Sequence, residues 1–197
     1  MNGIEIDKFL KNIRSKEEDC PWDSSKFCSW RKTGNKIKGT IGEELVQKCI
    51  LPHYNIKVEK IGGNADHDLI DTTNGLNIEV KTGFAKKQGG AITSDSFMFN
   101  HIGLHKNWDI LVFVGINHED ITKMHIRKDW RKDPESLFIR FVPKKDIKLM
   151  IDKGYIKNQQ GGKSGNNDDW MTASSLLYST EYLEKYKDYN TVLKNIS

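Results

Sequence analysis

Residues 109–116 read Asp-Ile-Leu-Val-Phe-Val-Gly-Ile, an almost unbroken apolar run. A run this short, rich in β-branched and aromatic residues and without alternation, has the length of a strand and the pattern of one buried on both faces in the middle of a sheet. Such a strand needs a layer above it and a layer below, so the chain is expected to be α/β, with a central mixed sheet flanked by helices. Around the run, Ile41, Leu45, Val46, Cys49 and Ile50 form one stripe. They predict an amphipathic helix over Gly39–Leu51, ended by Pro52. Ile56–Ile61, Met124–Ile126 and Leu137–Val142 read as strands, Asp146–Asp152 as a short helix or turn, and Ser174–Leu193 as a helical tail.

The remaining segments are less regular. Ile4, Phe9, Leu10 and Ile13 have helical spacing, Cys20–Trp30 reads as loop, and residues 1–35 are expected to be an N-terminal extension with little chemistry. Gly83–Asp95 reads as a flexible polar stretch, and Phe97–His105 suits either strand or helix. The apolar-poor stretch Asn158–Asp169 reads as loop. With 197 residues and no visible linker or repeat, one domain over 1–197 is expected.

Composition narrows the class. Hydrophobic residues make up 37% of the chain and mean hydropathy is −0.64, so a soluble globular protein is expected. No stretch approaches the roughly 20 apolar residues of a membrane span, and residues 1–30 lack the apolar run of a secretory signal, so a cytoplasmic protein without membrane contact is expected. Cys20, Cys28 and Cys49 show no CxxC spacing and are expected to be buried free thiols. From Lys123 to Lys163 there are 12 Lys/Arg against 5 Asp/Glu, a local excess that would suit a polyanion.

The chemistry concentrates around Asn74-Gly75, a strong hairpin signal between the short strands 68–73 and 76–81. With a two-residue turn, Asp68 would face Lys81 and Ile70 would face Glu79. Since side chains alternate, Asp68, Glu79 and Lys81 share one side, while Leu69, Ile78 and Val80 point into a core. Two carboxylates and an ammonium on one patch suit a divalent cation, with magnesium favoured by carboxylate oxygens and a phosphate substrate. That combination points to phosphodiester hydrolysis, with Lys81 supporting the nucleophile and the transition state.

Asp68, ten residues, then Glu79-Val80-Lys81, after a helix in which Gly39 precedes Glu43 by four residues, resembles the PD-(D/E)XK nuclease superfamily over residues 38–116. His67 stands where the motif's name has Pro. The resemblance implies a restriction-endonuclease-like core with Glu43, Asp68, Glu79 and Lys81 as catalytic residues. It also implies Mg2+ (with Mn2+ as a substitute) held by Asp68, Glu79 and the Val80 main-chain carbonyl. The substrate would be double-stranded DNA, and a type II restriction endonuclease is the favoured member; a junction-resolvase-like repair nuclease and a non-catalytic DNA-binding protein of the same fold are the alternatives. Arg127, Lys128, Arg131 and Lys132 are the candidate phosphate contacts. Gln159, Gln160, Lys163, Asn166 and Asn167 are candidates for the late DNA-contacting loop, since Asn and Gln can read adenine edges. Two cuts in a palindrome would suit a homodimer. Gly162-Lys163-Ser164 lacks the upstream glycine of a P-loop, which argues against ATP use.

Overall fold

The computed structural model describes residues 20–61, 66–88, 91–128, 131–158, 170–172 and 182–196. Among the described residues, the chain forms the following strands and helices in order. The strands are β1 (Val58–Lys60), β2 (Leu69–Asp71), β3 (Leu76–Phe84), β4 (Lys87–Gln88), β5 (Ala91–Thr93), β6 (Ile110–Ile116), β7 (Met124–His125), β8 (Leu137–Pro143), β9 (Ile156–Asn158) and β10 (Trp170–Thr172). The helices are α1 (Cys28–Lys32), α2 (Asn35–Leu45), α3 (Lys144–Asp152) and α4 (Tyr189–Lys194).

The main sheet has five strands in the order β1-β2-β3-β6-β8. It is mixed: β3 and β6 run parallel, and the other neighbours are antiparallel. Strand β6 lies between β3 and β8, and every one of its residues is buried, as its apolar run requires. The protein is thus a mixed α/β structure. No helix among the described residues is long and apolar enough to cross a membrane.

The hairpin differs from expectation in register. Leu69 pairs with Ile78, Ile70 with Asn77 and Asp71 with Leu76, so the turn contains four residues rather than two. The cause is Asp71, which is fully buried. Its carboxylate accepts the N–H groups of Thr73 (2.9 Å) and Asn74 (2.9 Å), the Asn74 side-chain amide (2.7 Å) and the Tyr189 hydroxyl (2.8 Å). Gly75, at φ +72°, closes the turn by donating its N–H to the Asp71 carbonyl at 2.8 Å. Asp68 therefore faces Glu79 rather than Lys81. Both registers have the same parity, so Leu69, Ile78 and Val80 still turn into the core, where all three are buried.

Several other expectations are corrected. The helix begins at Asn35 and passes Pro52: a wide turn at Val46–Ile50 leads into a last helical turn at Leu51–His53. Pro52 enters that final turn directly after the wide turn, where the helix has already left the regular i→i−4 pattern. Part of the expected Cys20–Trp30 loop is helical, because α1 begins at Cys28. The cysteines are free but not buried: Cys20 and Cys28 are half-buried and Cys49 is exposed.

Among the described residues, the crossover from β3 to β6 holds no helix. It contributes β4 and β5 to the small sheet β4-β5-β7, whose third strand follows β6 in the chain, and continues as an irregular segment in which Ile102 bridges Trp170. Far from being a solvated polar stretch, residues 92–97 are buried. Two glycines paired across β3 and β6, Gly83 and Gly115, let this segment lie directly on the sheet. A Cβ at Gly115 would stand 2.6 Å from the Phe97 ring, and one at Gly83 would stand 2.9 Å from the Met98 carbonyl oxygen. Phe97 and Phe99 fill the layer a crossover helix would usually occupy, with Phe99 packed 4.7 Å from Phe113 between ring centroids. Near the C-terminus, Leu183, Tyr186, Tyr189 and Val192 recur every three residues and bury one stripe. The early Ile4–Ile13 segment and the Gly89-Gly90 loop centre lie outside the described residues, as does most of the Asn158–Asp169 loop.

Candidate active site

The site lies where the sheet forks. Strand β3 pairs with β2 only through Leu76–Ile78, while its pairing with β6 continues to Phe84. From Glu79 onward, one edge of β3 is therefore open. Asp68, at the point where β2 departs, caps that edge: its Oδ2 accepts the Val80 N–H at 2.8 Å. A residue's N–H and C=O point to the same edge of a strand, so the Val80 carbonyl faces the open edge as well.

A cavity of about 480 Å³ occupies this fork. Glu43 from α2, Asp68, Val80 and Lys81 line it, together with His101 from the irregular crossover. The helix can lie close to β3 because Gly42 abuts Thr82; a Cβ at Gly42 would come within 1.9 Å of Thr82 Oγ1. Four of the residues expected from the motif thus meet in one region. Glu79 is not in the lining itself but stands behind Lys81, with only 1% of its surface exposed.

Charge is arranged unevenly around Glu79. Its Oε1 receives the Lys81 ammonium and, at 3.2 Å, that of Lys106, whereas its Oε2 is buried without a hydrogen-bond partner among the described residues. Burial, reinforced by the neighbouring Glu79 charge, pushes the Asp68 carboxyl up from its ordinary 3.8 to about 6. Glu43 pairs with Lys60 at 2.8 Å. Among the described residues, no three His, Cys, Asp or Glu side chains gather into a metal-holding cluster. The donors that fit a hard divalent cation are therefore two carboxylates and a main-chain oxygen. The unpartnered Glu79 Oε2 and the reluctantly ionised Asp68 both fit such an ion, which would satisfy the first and favour ionisation of the second.

The expected DNA contacts are distributed differently. Lys128 and Lys132 are exposed. Arg131 is held in a carboxylate network, with its guanidinium 3.3 Å from Glu135 and 3.0 Å from Glu184. The same two acids bind the buried Arg140. Gln159, Gln160, Lys163, Asn166 and Asn167 lie outside the described residues.

Sequence reasoning missed Lys106 and the N-terminal lining residues Arg31, Lys36 and Lys38. Lys106 lies 27 residues from Glu79, in a segment that carries no motif, so no local pattern marks it. Comparison of the chain with models of known protein families, and with curated proteins, finds no match.

Proposed function

We propose that this protein is a magnesium-dependent endonuclease of the restriction-endonuclease-like fold, hydrolysing phosphodiester bonds in double-stranded DNA. The observation that carries the reading is the fork itself. Asp68 faces Glu79 across the end of the hairpin, Lys81 is two residues further along the open edge, and helix α2, which carries Glu43, packs against the same strand. A hairpin leading into a strand parallel to a buried central strand supports the fold assignment.

Asp68, Glu79 and the Val80 carbonyl would hold the ion. When bound, magnesium supplies positive charge at the scissile phosphate and acidifies an attacking water. The Lys81 ammonium, on the cavity wall, stabilises the attacking hydroxide and the negative charge that builds on the phosphate. Lys106 shares the Glu79 carboxylate with Lys81, so Lys81 can turn toward a phosphate without leaving Glu79 uncompensated. Glu43, on the helix side of the cavity, would orient water.

A sequence-specific restriction enzyme is the favoured form. The experiment is incubation with plasmid and long linear duplex DNA in Mg2+ or in EDTA. Discrete Mg2+-dependent fragments support the reading, and cutting confined to branched DNA would replace it with a junction-selective nuclease. Tight binding without cutting on any of these substrates would leave a DNA-binding protein of the same fold.

A further inference from the structure

Three cations on the N-terminal side of the cavity are not used by the chemistry above. Arg31 lies in the last turn of α1, and Lys36 and Lys38 lie in the first turns of α2; all three line the same cavity as Asp68 and Lys81. Arg31 and Lys38 flank one aromatic ring. The Arg31 guanidinium carbon is 5.7 Å, and the Lys38 ammonium 6.0 Å, from the centre of Phe84.

Neither cation has a carboxylate within ion-pairing distance among the described residues, nor does Lys36; Asp23, Glu44 and Glu43 are engaged with Lys32, Lys48 and Lys60, and Asp68, across the cavity, accepts the Val80 N–H. Arg31 Nε is buried and has no acceptor among the described residues. Burial, then the neighbouring Arg31 charge, lowers the Lys38 pKa from its ordinary range. Like charges held together without a counter-charge are costly unless an anion joins them.

The backbone adds to the same preference. Helix α2 has 11 residues, starts after Gly34 with no side-chain cap, and has no acidic residue in its first turn. Its first N–H groups are thus left for another acceptor, and the positive end of its dipole lies beside these cations. Arg31 offers the planar fork that suits a phosphate, while the two lysines act as point charges.

We propose that Arg31, Lys36, Lys38 and the start of α2 form a phosphate-binding wall that grips the nucleic-acid backbone beside the bond to be cut. This deepens the nuclease reading and rests on it. The wall differs from the 123–163 segment in that it shares the cavity with Asp68 and Lys81.

The test is fluorescence anisotropy of a labelled DNA duplex, titrated in EDTA so that nothing is cut, at several salt concentrations. The proteins are the parent chain and the triple variant Arg31→Gln, Lys36→Gln, Lys38→Gln, with folding checked by circular dichroism. Each phosphate contact contributes about 0.9 to the slope of log K against log salt, so the variant's slope should be shallower by about 2 to 3. Its Kd at about 0.1 M salt should rise at least about tenfold. If the triple variant does not fold, the single reversal Lys36→Glu, at an exposed position, must weaken binding by itself. A parent that binds DNA while either folded variant keeps its Kd and slope would overturn the wall and leave the nuclease reading intact. A parent that binds no DNA at any salt would overturn both.

Discussion

Replacing Asp68 with Asn is expected to stabilise the metal-free protein at neutral pH while removing its activity. The carboxyl is raised from 3.8 to about 6, mainly by burial and then by Glu79. About two pKa units at 1.36 kcal/mol each amount to about 3 kcal/mol of folding free energy. The sign follows from which form the folded state prefers. A raised carboxyl pKa means that the folded protein binds the proton more tightly than the unfolded chain. Its contribution is therefore fully present below about pH 4 and is lost as pH rises through about 6. Asn carries no charge, and its carbonyl can keep the bond from the Val80 N–H. Urea unfolding in EDTA should show Asp68→Asn more stable than the parent by about 3 kcal/mol at pH 7.5, with the difference shrinking toward zero at pH 4. Adding Mg2+ should then stabilise the parent and leave the variant nearly unchanged, because only the parent's site binds the ion well. A variant no more stable than the parent at pH 7.5, or a gain that persists undiminished at pH 4, would refute the strained-carboxylate argument.

Other parts of the structure make separate predictions. Tyr189→Phe removes the 2.8 Å bond to the buried Asp71 and should cost about 1.5–3 kcal/mol in urea unfolding; a loss under about 0.5 kcal/mol would show that α4 does not anchor the turn. Gly42→Ala forces a Cβ against Thr82 and should cost about 1–3 kcal/mol, and adding Thr82→Ala should recover part of it. No recovery in the double variant would place the cost elsewhere. Arg131→Ala breaks ion pairs to Glu135 and Glu184, so it should lower stability by about 1 kcal/mol with little change in the salt slope of DNA binding. A flattened slope at unchanged stability would reverse that assignment.

What could be read from the sequence was what local patterns determine. The apolar run of β6 specified its own central position, and the alternation in Glu79-Val80-Lys81 specified which side chains share a face. Parity survived the register error, because a four-residue turn differs from a two-residue one by an even number of residues. The four-residue turn is held by local bonds to Asp71, but the Tyr189 hydroxyl that completes its burial comes from 118 residues away, and no local signal carries such a contact. The same holds for the crossover. Its aromatic layer depends on Gly83 and Gly115 becoming neighbours in space, so the intervening polar composition was misleading. Pro52 looked like a helix end because the wide turn that accommodates it has no sequence signature. Arg31, Lys36 and Lys38 lie in a stretch of ordinary charge; they become a cluster only when α1 and α2 meet over Phe84.

The central claim is that Asp68, Glu79 and Lys81 perform metal-dependent hydrolysis. Its most direct test is to measure cutting and binding together for the parent and Lys81→Ala on the same duplex DNA. Mg2+-dependent cutting by the parent is expected, with a loss of at least about a hundredfold in rate for Lys81→Ala and an affinity in EDTA within a few-fold of the parent. A Lys81→Ala protein that cuts at the parent rate would contradict the account at its core.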